Sequence, residues 1–176
     1  MKRFGKYVIN FGGLPKGIHE FVFEVDESFF AHFENSIIQK AKADVLVTLE
    51  KEDTMLLLDF TIEGSATLPC DRCLEELNIE IEGYNELIVK FGENEEEESE
   101  DVIVLPAKAH EIDVSQYIYE YITMLVPIRN VHPDDEDGNS TCDPEALKEL
   151  EKYRHHEEEQ KPTDPRWEAL KNINPN

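Results

Sequence analysis

The chain has 176 residues, enough for one domain with a real core and a smaller appendage, but not for two large independent domains. Its 40 Asp and Glu against 17 Lys and Arg leave a net charge of −23. A surface so acidic repels phosphate backbones, which are held by cationic side chains that release counterions, and it attracts basic partners instead.

Residues 1 to 91 read mostly as strands. Tyr7, Ile9 and Phe11 alternate with polar or smaller neighbours, and after the Gly12, Gly13 and Pro15 turn Phe21, Phe23 and Val25 do the same. Between Asp26 and Ile38 the apolar spacing changes to Phe29, Phe30, Phe33 and Ile37, the period of a short amphipathic helix capped by Asp26. Three period-two runs follow: Ala43 to Leu49, Leu56 to Leu68, and Leu77 to Phe91. They predict an antiparallel meander whose first turn falls near Glu50 to Thr54, and whose second is the segment Pro69-Cys70-Asp71-Arg72-Cys73-Leu74. Gly64 and Gly83 interrupt their runs and predict bulges or strong bends that curl the sheet toward a barrel or sandwich.

Residues 93–101 carry seven carboxylates and no base, which predicts a mobile loop. Val102 to Leu105 reads as a strand. Asp113 and Gln116 form a capping signal for a helix with the stripe Tyr117, Ile118, Tyr121, Ile122 and Leu125, ended by Pro127. Beyond it residues 134–159 hold eleven carboxylates against Lys148, Lys152 and Arg154. Asp143-Pro144 and Asp164-Pro165 each open a weakly apolar helix. The expected architecture is thus α+β: a core domain over 1–130 with a curved antiparallel sheet, barrel- or sandwich-like, and packed helices. A mostly helical, acidic C-terminal segment spans 131–176.

The longest apolar run, Met55 to Leu58, is too short to span a membrane, and the basic start Met1 to Lys6 leads into glycines and Pro15 rather than an apolar run. A cytoplasmic protein without a signal peptide is therefore expected. There the three cysteines stay reduced, and their odd number argues against a disulfide framework.

Cys70 and Cys73, two residues apart in a turn, can present two sulfurs to one ion, and His132 with Cys142 can complete a tetrahedral zinc site that tethers the C-terminal segment. The competing reading is a pair of small turn cysteines and a solvated loop histidine. A redox dithiol would need a helix N-terminus, whereas strands flank this pair. The acidic run Pro133 to Asn139 misses the register of a calcium loop, and no phosphate loop, dinucleotide fingerprint or Ser/His/Asp set is present, so no catalysis is expected. In the tail, Asp164, Pro165, Arg166 and Trp167 read either as a capped helix docked on the body or as a partner-binding element.

Three fragments taken in order resemble the YceD family of large-subunit ribosomal RNA accumulation proteins: Leu68-x-Cys70-x-Arg72-Cys73-Leu74, the helix from Glu111-Ile112-Asp113 to Leu125-Val126-Pro127, and Asp164-Pro165-Arg166 through Leu170. The likeness spans nearly the whole chain. Many members carry further cysteines, or a histidine and a cysteine, after the proline that ends this helix; His132 and Cys142 occupy that place. Other members lose the cysteines, so the metal is not implied to be essential to the family's role. The resemblance implies a part in accumulation of large-subunit ribosomal RNA, with Arg72 joining Asp164 to Trp167 as candidate partner contacts. The family's gene commonly lies beside that of a small basic zinc-ribbon ribosomal protein. Together with the charge, this points to a noncatalytic assembly factor that binds a basic large-subunit ribosomal protein or the pre-ribosomal particle. Two alternatives stand beside it: a direct ribosomal RNA binder using Lys2, Arg3, Lys6 and Lys16, and a zinc-stabilised acidic interaction module outside ribosome assembly.

Overall fold

The computed structural model describes residues 5–34, 36–38, 40–92, 99 and 101–153. A 3-10 turn at Gly5–Tyr7 leads into β1 (Val8–Ile9), followed by β2 (Gly17–Val25), α1 (Glu27–Phe30), β3 (Lys40–Lys51), β4 (Met55–Pro69), β5 (Glu76–Phe91), β6 (Val102–Leu105), β7 (Ile112–Asp113), α2 (Ser115–Leu125) and α3 (Pro144–Tyr153). The chain falls into two units, Met1–Cys142 and Asp143–Asn176. The second contributes α3, which is capped by the Asp143 carboxylate at 2.8 Å from the Ala146 N–H and buries none of its residues.

Period-two alternation builds a five-stranded sheet in the order β2-β3-β4-β5-β6, and β1 pairs separately with β7. Strands β2 to β5 are antiparallel as expected, while β6 runs parallel to β5. The fold is therefore α+β with an open mixed sheet rather than a closed barrel. Closure would require the edge strands β2 and β6 to hydrogen-bond, and five strands fall short of the number that usually closes a barrel filled with side chains.

The bulges expected at the two glycines are also absent. Register runs unbroken through both, with Gly64 opposite Ala43 and Ile81, and Gly83 opposite Ile62. Each glycine serves close approach instead. A Cβ at Gly64 would lie 2.3 Å from the Lys42 carbonyl oxygen, and one at Gly83 would lie 2.2 Å from a Leu125 methyl.

The inner face of the sheet is the core. Val45, Val47, Leu49, Leu56, Leu58, Phe60, Ile62, Leu87 and Val89 are fully buried, and α2 covers them with Ile118, Tyr121 and Ile122. The Tyr121 ring meets Phe60 edge-on at 5.1 Å. On α1, Phe29 and Phe30 are buried, and Asp26 caps the helix through the Ser28 and Phe29 N–H groups. That helix stops after one turn instead of continuing to Ile37. Ser36 diverts the chain by bonding both the N–H and the carbonyl of Ile38, the local competition that makes serine a poor residue inside helices.

The outer face carries two acidic rows. Glu24, Asp44, Glu63 and Glu82 stand opposite one another across β2 to β5, as do Glu20, Thr48, Asp59 and Glu86. Between these rows runs Val22, Leu46, Thr61 and Tyr84.

Candidate metal centre

The turn between β4 and β5 is a tight knuckle. The Leu74 N–H donates to the Cys70 carbonyl at 2.9 Å and the Cys70 N–H to the Glu75 carbonyl at 2.8 Å, closing the loop around two inward-pointing sulfurs. Leu74 pays for this geometry with a left-handed φ of 64° and a side chain 79 % exposed. After Pro127 the chain returns past the knuckle. The Asp71 N–H donates to the Asn130 carbonyl at 2.7 Å, and the Asn130 N–H donates to the Asp71 carboxylate at 2.6 Å, so two reciprocal bonds clamp the segment that carries His132. The Arg72 guanidinium reaches Ser140 Oγ at 3.0 Å, and that hydroxyl receives the Cys142 N–H at 3.4 Å.

These ties bring Cys70, Cys73, His132 and Cys142 together, with their ligand atoms all within 4.8 Å of one another. All three cysteines are buried, and none is in a disulfide. Cys70 Sγ lies 3.8 Å from Cys142 Sγ, and His132 Nδ1 lies 3.4 Å from Cys73 Sγ and 3.9 Å from Cys142 Sγ. A zinc tetrahedron with bonds of about 2.3 Å to sulfur and about 2.0 Å to nitrogen has edges of about 3.8 Å between sulfurs and about 3.5 Å from sulfur to nitrogen. The Cys70–Cys142 and Cys73–His132 separations match those edges and the remaining ones stay within 4.8 Å, so the four residues could hold a metal ion.

Surrounding groups prepare the ligands. His132 Nε2 lies 3.3 Å from the Glu76 carbonyl, which can only accept; the imidazole proton is thus held on Nε2 and Nδ1 is turned toward the thiols. Burial pushes the Cys70 thiol up, but backbone N–H groups of Cys73, Arg72 and His132, together with the Cys73 thiol, outweigh it and bring Cys70 down to about 6. The Arg72 N–H stands 3.4 Å from that sulfur. His132 is raised above its ordinary value by the Cys142 and Cys70 sulfurs. Thiolate is the form that ligates metal, and four protein ligands would leave no coordination position for water, the arrangement of a structural site.

Of the other candidate residues, Arg72 acts inside this centre through Ser140, while Asp164, Pro165, Arg166 and Trp167 lie outside the described residues, as does most of the acidic run 93–101. Lys2 and Arg3 also lie outside them. Lys6 donates to the Glu24 carbonyl at 2.8 Å, and Lys16 pairs with Asp53 at 2.5 Å. Within the run Pro133 to Asn139, Asp135 turns its carboxylate onto the Asp137 and Asn139 N–H groups at 3.0 and 2.7 Å. The supporting residues Asp71, Asn130 and Ser140 have no signature in sequence: Asp71 sits inside the cysteine motif, but its partner lies 59 residues away.

No helix among the described residues is long and apolar enough to cross a membrane. Against known proteins, one family model, described as large ribosomal RNA subunit accumulation protein YceD, matches residues 58–174, a span that begins within β4, runs through α3 and holds all four candidate ligands. No curated protein and no solved structure matches the chain.

Proposed function

Because the chain belongs to the YceD family, we propose that it is a noncatalytic assembly factor supporting large-subunit ribosomal RNA accumulation by binding a basic large-subunit ribosomal protein, alone or on the pre-ribosomal particle. The observation that carries the mechanism is the charge of −23, which favours cationic polypeptide over an RNA backbone. The role needs no reacting group. Zinc, bound by Cys70, Cys73, His132 and Cys142, serves as a cross-link between the β4–β5 knuckle and the segment after α2, holding the surface in shape.

Co-sedimentation of the full chain with large-subunit precursor particles, and separately with naked ribosomal RNA, tests the reading. Binding to the particles is expected to fall about tenfold or more as salt rises from about 0.05 to 0.5 M, over which the screening length shrinks several-fold. Naked RNA is expected to stay unbound at physiological ionic strength. Salt-independent particle binding, or tight binding of the RNA alone, would sink the proposal.

A further inference from the structure

We propose that the outer face of the β2–β5 sheet is a docking surface for a cationic amphipathic helix of a polypeptide partner. This deepens the assembly reading above and rests on it. One face of the sheet is covered by α1 and α2, and the other presents a largely apolar stripe, Val22, Leu46 and Tyr84 interrupted by Thr61, between two acidic rails. Val22 is 69 % and Tyr84 62 % exposed along that stripe, with Leu46 between them half-buried. Tyr84 is held in place by its hydroxyl, which donates to Asp59 at 2.5 Å in the neighbouring rail.

The rails alone would be ordinary solvated surface; their arrangement is not. Like charges directly opposite on adjacent strands destabilise a sheet, yet Glu24, Asp44, Glu63 and Glu82 stand in one unbroken register. Among the described residues none of the four makes an ion pair. A groove of about 650 Å³ runs along this rail, lined by Asp44, Glu63, Glu80 and Glu82 and also by Lys42.

The dimensions select the occupant. Neighbouring strands are about 4.8 Å apart, so a four-residue row spans about 14 Å, and helix positions three or four apart are separated by about 5–6 Å. Cations on a helix laid across the strands therefore keep step with the carboxylates for two to three turns. Same-face residues along a strand are about 6.7 Å apart, so the rails flank the stripe at that distance on each side. A helix about 10–12 Å across with its side chains can seat an apolar ridge on Val22, Leu46 and Tyr84 while lysines and arginines reach both rails. A second copy of this chain is disfavoured as occupant, since it would bring the same carboxylates face to face.

The test uses the full chain and, as probe, a synthetic amphipathic Leu/Lys helix. One variant neutralises a rail (Glu24→Gln, Asp44→Asn, Glu63→Gln, Glu82→Gln), and a control removes the same charge elsewhere (Glu34→Gln, Glu136→Gln, Asp137→Asn, Glu145→Gln). The rail variant should bind the probe about tenfold or more weakly, the control within about twofold, and Val22→Asp should also weaken binding. The rail variant should melt no lower than the parent, because it relieves repulsion. Equal loss in rail and control variants overturns the proposal, as does a drop in the rail variant's melting temperature. A concentration-dependent dimer abolished by Val22→Asp would assign the face to a second copy and equally overturn it. The probe contains no ribosomal component, so this surface can fail while salt-dependent particle binding stands, and the converse is equally visible.

Discussion

Cys70 shows how one atom joins several kinds of constraint. Its sulfur is buried, it receives a backbone N–H from the knuckle, and it lies a tetrahedral edge length from the Cys142 sulfur in the cluster that includes the His132 imidazole. Replacing it with serine removes a thiolate ligand and leaves the other three unable to close the site. Cys70→Ser protein purified without added metal is therefore expected to carry well under one zinc per chain where the parent carries one, and to lose about 3 kcal/mol or more of stability, read as a lower melting temperature. Equal melting with and without chelator in the parent would show the four residues to be plain turn cysteines and a histidine. The ligands themselves were legible in the sequence because residue type carries ligand chemistry. The left-handed Leu74, the reciprocal Asp71–Asn130 clamp and the Arg72–Ser140 tie were not, since each depends on groups brought together across 59 or more residues or on a local dihedral.

Among the elements, the long strands were the most readable, because alternation over twelve or more residues leaves one register that buries every apolar side chain. The same pattern is silent on direction. Val102 to Leu105 reads equally well as a parallel or an antiparallel neighbour, and only its register against Ile88 to Phe91 shows β6 to be parallel. Cap position was likewise only half readable. Asp113 does meet the start of α2, accepting from the Ser115 N–H at 3.0 Å, but Gln116 turns away to Glu120, so the capping box does not close. What holds α2 is its buried stripe. Ile122 is fully buried beneath the sheet, and Ile122→Ala leaves a cavity expected to cost about 2–5 kcal/mol, measurable as a lower denaturant midpoint with an unchanged slope. A loss under about 1 kcal/mol would mean that α2 is not locked to the core at this position.

At the scale of the whole molecule, the excess of carboxylates works against the fold and for its encounters. Self-repulsion in a chain of net charge −23 lowers the stability of the compact state, and the two acidic rows concentrate that repulsion on one face. Added salt screens it, so the melting temperature of the free protein is expected to rise between about 0.05 and 0.5 M salt. Over the same range, capture of a cationic partner is expected to weaken. The opposite signs matter, because a partner lost through salt-induced unfolding would show both quantities falling together. Thermal melts and partner titrations on one salt series separate the cases: a melting temperature that rises as affinity falls identifies the same surface charge as a cost to folding and the source of recognition.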